Sequence, residues 1–187
     1  ALEITGGDAE ALRNRADVYL QKGEHEEAAK ALACLVETTD EDAERVALYL
    51  ELGDLYTKEL VEHKKAADAY AAALAIEPEN RNLLTRLMQT YTATKNYPGL
   101  VEVVLQIADL ETDTMKVARY YQTAAMINDQ ELGRPEEARE YYEMAIESDP
   151  SLMKSFEALA RILTEKGEWE DLAKAYEEML GRLPADV

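Results

Sequence analysis

Two histidines, His25 and His63, one cysteine, Cys34, and a dense population of carboxylates are the groups from which this chain could assemble a reaction centre. A nucleophile needs a base beside it and usually a third group to orient that base. A metal needs His, Cys, Asp or Glu at ligand spacing. Neither histidine has a second His or a Cys at such spacing. Cys34 falls mid-helix and reads as a small core residue rather than a nucleophile. Carboxylate pairs such as Glu26-Glu27 and Glu136-Glu137 recur because the solvated helix faces are acidic, and no Gly-rich phosphate loop is present. These residues predict no enzyme, no cofactor and no metal site.

The elements that carry these residues are bounded by composition. The 187 residues include 39 Asp and Glu against 20 Lys and Arg, a formal charge of −19. Phosphate backbones are held by clustered cations that release counterions, so this balance argues against nucleic acid and against direct binding to an anionic membrane. No apolar run reaches the ~20 residues of a spanning helix, and no signal peptide is visible. A lone cysteine closes no internal disulfide and reports no oxidising compartment. The cytoplasm is favoured on that ground, with a bacterial periplasm left open. With 8 Gly and 5 Pro, turns are too few for a β-sandwich, and the abundance of Ala, Glu, Leu and Lys favours helix throughout.

The chain repeats itself at a spacing of 72 residues: ELVEHKKAADAYAAALAIEP at 59–78 matches ELGRPEEAREYYEMAIESDP at 131–150 in Glu59/Glu131, Leu60/Leu132, Ala66/Ala138, Tyr70/Tyr142, Ala73/Ala145 and Pro78/Pro150. The fuller pattern is clearest twice. It reads Tyr49, Leu52, Gly53, Tyr56, Ala66, Tyr70, Ala73, Pro78, and then Tyr121, Ala124, Ala125, Asn128, Ala138, Tyr142, Ala145, Pro150. Weaker copies lie at 9–42 (Leu12, Ala16, Tyr19, Gly23, Ala28, Leu32), at 81–114 (Leu84, Leu87, Tyr91, Tyr97, Leu100, Val104, Ile107) and at 153–186 (Phe156, Leu159, Gly167, Trp169, Leu172, Tyr176). Apolar residues at i, i+3, i+4 and i+7 mark two amphipathic helices in each copy. Lys22-Gly23-Glu24, Gly133-Arg134-Pro135 and Lys166-Gly167-Glu168 separate the two helices. Pro98 and Pro135 suit a helix start, and Pro78, Pro150 and Pro184 a helix stop.

These five copies resemble the tetratricopeptide repeat family over essentially the whole chain. The resemblance implies an all-α, right-handed α-solenoid of about five helix-turn-helix repeats. The modules alternate between 34 and 38 residues: 9–42, 43–80 (long), 81–114, 115–152 (long) and 153–187, with 1–8 as the tail of a preceding repeat's second helix. The long modules are expected to carry a longer first helix. Small residues, Ala16 with Ala28 and Gly53 with Ala66, let paired helices approach closely. Repeat three has Met88 and Leu100 instead, which predicts a wider pair there and the softest or most curved point, against a rival reading of ordinary repacking around bulkier side chains. His25 aligns with Tyr97 and Trp169 and reads as a packing residue at the pair interface. The recurring tyrosines Tyr19, Tyr56, Tyr91, Tyr70, Tyr142 and Tyr176 read as a core stripe.

The register also places Ala1-Leu2-Glu3-Ile4 on Ala73-Leu74-Ala75-Ile76, the inside of a second helix, and reads Gly181-Arg182-Leu183-Pro184 as an inter-repeat turn. The expectation is a piece of a longer array. The rival is a short protein whose exposed terminal repeats stack into a homo-oligomer or filament.

In this family partners lie on the concave surface of the first helices. The resemblance therefore implies a protein or peptide partner and a scaffold or adaptor role, with Arg13, Lys58, Asn82, Arg86, Gln89, Arg119, Gln122, Met126, Lys154 and Arg161 as candidate contact residues. Arg86, Arg119, Lys154 and Arg161 make the C-terminal half of that strip the most basic part of the molecule and suit an acidic or polar extended peptide. The opposing reading is that these charges pair with neighbouring acids. Asp17 and Asp54 stand where the carboxylate-gripping members of the family want Asn, and Glu51 faces the same groove, so chaperone C-termini are not the expected ligand.

Overall fold

The structure, a computed structural model, describes residues 6–182. Ten helices follow one another there. They are α1 (Gly6–Lys22), α2 (His25–Thr38), α3 (Asp42–Lys58), α4 (His63–Ile76), α5 (Arg81–Thr94), α6 (Tyr97–Asp109), α7 (Thr114–Gln130), α8 (Pro135–Ser148), α9 (Met153–Lys166) and α10 (Trp169–Arg182). The chain divides into two compact units between Asn96 and Tyr97. That division falls inside the third repeat, where Met88 and Leu100 take the place of small residues.

In each unit every helix packs on the one before it: α1 to α5 in the first, α6 to α10 in the second. The first core joins Ala28, Ala29, Leu32, Leu35 and Val36 of α2 to Leu48, Leu52 and Leu55 of α3. The second joins Ala138, Tyr142 and Ile146 of α8 to Phe156, Leu159, Ile162 and Leu163 of α9. Ala16, Ala28, Ala66, Ala125 and Ala138 are fully buried, as close helix approach requires.

The first helices of the long modules, α3 and α7, have 17 residues against 14 for α5 and α9. Helix α1 also has 17, and its first three residues fall in the 1–8 stretch assigned above to a preceding helix. The expected helix at Ala1–Ile4 lies outside the described residues, as do Leu183 and Pro184. Gly181 and Arg182 close α10 rather than forming a turn.

The turns within pairs repeat in backbone conformation where they do not repeat in residue type. Gly23, Lys95 and Gly167, each 72 residues from the next, all have positive φ of 73°, 54° and 74°. Behind them Glu24, Asn96 and Glu168 donate N–H to Tyr19, Tyr91 and Leu163 at 2.9, 2.9 and 3.0 Å, closing the last helical turn. In the long modules Val61 (φ 55°) and Gly133 (φ 63°) play that part. Asn80 and Asp113 cap α5 and α7 by accepting backbone N–H bonds.

Three side chains depart from the sequence reading. Cys34 is exposed on α2, because the buried face there is supplied by Ala31, Leu32 and Leu35. Tyr176 and Trp169 are 49% and 63% exposed on α10, whose only buried residue is Met179. The tyrosine stripe thus ends before α10.

Candidate functional site

Along the first helices of the first unit the nominated cations meet carboxylates. Arg13 on α1 donates to Glu51 on α3 at 2.7 Å. Arg86 on α5 donates to Asp54 on α3, which also accepts from Lys58 at 2.9 Å and from the Tyr70 hydroxyl at 2.7 Å. Asn82 accepts from Arg86 Nε at 3.2 Å, and Gln89 borders a cavity of about 160 Å3 with Asp54, Thr57, His63, Tyr70 and Arg86. Burial works against ionisation of Asp54, but the bonds from Lys58, Tyr70 and Arg86 outweigh it and hold this carboxyl below its ordinary range.

A matching arrangement stands in the second unit. Arg161 on α9 donates to Asp129 on α7 at 2.5 Å and to Glu165 at 3.1 Å. Tyr142 lies buried beside Asp129. Burial first, then that carboxylate, pushes its phenol up to about 12. The 72-residue register does not map one set of partners on the other. Asp54 corresponds to Met126 and Asp129 to Thr57, while Arg86 corresponds to Ala158 and Arg161 to Gln89. The acid and its arginine have moved along the strip together, and both pairs keep a separation of 32 residues. That constant separation is the signal in the sequence that would have revealed them.

Arg119 and Lys154 differ from the other nominated cations, Arg13, Lys58, Arg86 and Arg161. Both are exposed, and neither makes an ion pair among the described residues. Gln122 Nε2 donates to the Oγ of fully buried Ser155 at 2.7 Å, joining α7 to α9. Arg119 stands one turn before Gln122, and Lys154 is next to Ser155. Met126, 43% exposed, stands about one turn beyond Gln122 on α7.

The sequence reading missed Arg139. It donates to Glu143 at 2.9 Å, to Asp171 at 2.8 Å and to Glu168, tying α8 to α10 beside a groove of about 350 Å3 floored by Ile146, Phe156, Leu159 and Met179. Its register partner is Ala67, so the repeat carried no sign of it. His25 Nε2 stands 3.6 Å from Glu59. No helix among the described residues is long and apolar enough to cross a membrane.

Three family profiles, each described as tetratricopeptide repeat, match residues 6–33, 118–152 and 155–187. The chain belongs to the tetratricopeptide repeat family. Among solved structures, MamA AMB-1 is similar at 21% identity over 93% of this chain and 91% of that one, with a TM-score of 0.51. A MamA mutant is similar at 21% identity over 91% and 90%, with a TM-score of 0.50. Likeness at this identity concerns the fold: an all-α helical repeat. No curated protein sequence matches the chain. As a tetratricopeptide repeat protein it is a non-catalytic protein-interaction scaffold.

Proposed function

We propose that this tetratricopeptide scaffold holds an extended acidic or polar segment of a partner protein across α7 and α9, gripped by Arg119 and Lys154. The observation that carries this is the contrast in charge satisfaction along the first helices. Arg13 pairs with Glu51, Arg161 with Asp129, and Lys58 and Arg86 share Asp54. Arg119 and Lys154 have no carboxylate partner among the described residues, so an incoming carboxylate gains a charge-assisted bond without displacing one already made. Gln122 and Met126, beyond Arg119 on α7, supply a fixed polar edge and a deformable apolar contact. Within the ten residues nominated from the sequence, Arg119, Gln122, Met126 and Lys154 are the binding set. Arg13, Arg86 and Arg161 tie neighbouring first helices through ion pairs, whereas Lys58 and Asn82 bond within their own helices and Gln89 borders the Asp54 cavity.

The test is recovery of partners on the immobilised chain and on Arg119→Glu/Lys154→Glu. The double reversal is expected to lose the partners that the unaltered chain retains, while Lys64→Glu, a reversal on a second helix, keeps them. Equal recovery on all three proteins overturns the assignment.

A further inference from the structure

The groove of about 350 Å3 beside Arg139 lies between the second helices α8 and α10, over α9, and shares no residue with the Arg119–Lys154 grip. Its floor is apolar, made by Ile146, Phe156, Leu159 and Met179. Its walls are charged. Helix α8 contributes Arg139, Glu143 and Glu147 at i, i+4 and i+8, and α10 contributes Asp171 and Glu178. The bond from Arg139 to Asp171 at 2.8 Å fixes which side of α10 this is: the side turned to α8. Both walls and the floor therefore belong to described helices.

The α8 wall is particular to its own repeat. One register earlier Arg139, Glu143 and Glu147 are Ala67, Ala71 and Ala75 on α4. Three small apolar side chains have given way to charges around an apolar floor, the make-up of a site that orients a polar segment over an apolar anchor. The sign of that segment follows from which wall charges are already matched. Arg139 is held by Glu143, Asp171 and Glu168. Lys174 and Arg182, on the α10 wall, both lean on Glu178 at 3.7 and 3.9 Å. Glu147 is exposed and makes no ion pair among the described residues, so the open charge on the walls is a carboxylate. The surrounding helices extend the same sign. Helix α8 has five glutamates against one arginine, and α10 has four acids against two bases. The first helices α7 and α9 together have three acids against five bases. Charge in this unit is thus divided between first and second helices, and a cation is drawn to the second.

We infer that the α8–α10 groove receives a basic segment of a partner protein, with aliphatic side chains on the floor and a lysine or arginine on Glu147. From Arg139 to Glu147 helix α8 advances about 12 Å, the length of roughly four extended residues, whose alternate side chains share one face. Two aliphatic side chains separated by one residue therefore reach the floor together. The groove is at the small end of ligand pockets, which suits two side chains and gives weak, reversible binding. This surface takes the opposite charge from the one proposed for α7 and α9, on the other helix of each pair.

The probe is a short lysine-rich peptide with two leucines one residue apart, blocked at both ends and titrated by fluorescence anisotropy at near-physiological salt. Matching peptides carry alanine for both leucines, or glutamate for every lysine. The leucine peptide is expected to bind once per chain and to shift the methyl NMR signals of Ile146, Leu159 and Met179. The alanine peptide is expected to bind at least about ten-fold more weakly, and the glutamate peptide more weakly still. Glu147→Lys is expected to weaken the leucine peptide roughly five-fold. Glu140→Lys makes the same change of charge at an exposed position of α8 outside the groove, and is expected to have less than about half that effect. Arg119→Glu/Lys154→Glu does not weaken this peptide, which separates the result from the grip on α7 and α9. The inference is overturned if the alanine peptide binds as tightly as the leucine peptide, since the attraction is then charge alone, or if the glutamate peptide does. It is equally overturned if Glu147→Lys and Glu140→Lys weaken binding alike. Floor methyl signals that move on dilution of the chain without peptide would also overturn it, by giving the groove to a second copy.

Discussion

A Cβ placed on Gly53 would stand 2.7 Å from Cδ1 of Tyr70 and closer still to Cε1. Helix α3 therefore carries glycine in its interior because the phenol of the facing helix lies against its backbone. There the ring reaches across to donate its hydroxyl proton to Asp54 at 2.7 Å. Glycine in a helix interior costs about 1 kcal/mol relative to alanine, and at this position that cost is offset by the close packing of a buried aromatic.

Gly53→Ala is consequently expected to destabilise the protein by about 1–3 kcal/mol despite its better helix propensity, because ring and backbone must part. In a Tyr70→Leu background the same change is expected to be neutral or stabilising. Urea unfolding of the four proteins of this cycle measures the coupling, and additive effects would contradict the close contact.

Val61 is a β-branched residue held at φ 55°, where its register partner is Gly133 at φ 63°. Left-handed backbone costs a side chain of this kind on the order of 1–2 kcal/mol. Val61→Gly is expected to stabilise by about 1 kcal/mol after the added chain entropy is set against the relief. Gly133→Val is expected to destabilise by a comparable amount. Shifts of opposite sign in the urea midpoint are the check.

The two tyrosine–carboxylate contacts act at opposite ends of the pH scale. Tyr142 has its phenol raised to about 12 in the folded chain, against an ordinary value of about 10. The folded state holds the proton more tightly, so this contribution is complete below pH ~10 and is lost as pH rises toward ~12. Asp54 is held below its ordinary range, so its contribution is present above pH ~4 and is lost as acid protonates it in the fold. Urea midpoints measured against pH are expected to fall less steeply on the alkaline side in Tyr142→Phe and on the acid side in Asp54→Asn.

Much of this architecture was legible because packing and stopping residues recur at fixed spacing. Ala66/Ala138, Tyr70/Tyr142 and Pro78/Pro150 placed the helix pairs, and the extra residues of the long modules appear as the added length of α3 and α7. Cys34 was misplaced because a small side chain mid-helix has no face until the neighbouring helix is positioned. Arg139 was invisible because its partners Asp171, on α10, and Glu168, in the turn before it, lie outside its own helix. The ten nominated contact residues could be named from the repeat, but which cations were already neutralised depended on side chains about 30 residues away in sequence, such as Asp54 with Arg86.

The sequence by itself determined that this is an acidic, all-helical tetratricopeptide chain without the residues of a reaction centre, since periodicity and composition act locally along each helix. Only the tertiary structure decided which of the nominated cations meet a carboxylate and which apolar side chains are covered. Both depend on what the neighbouring helix presents: Asp129 pairs with Arg161 while Arg119 makes no ion pair among the described residues, and α3 covers Leu32 while Tyr176, edge-on to Phe156 of α9 at 4.9 Å, stays 49% exposed.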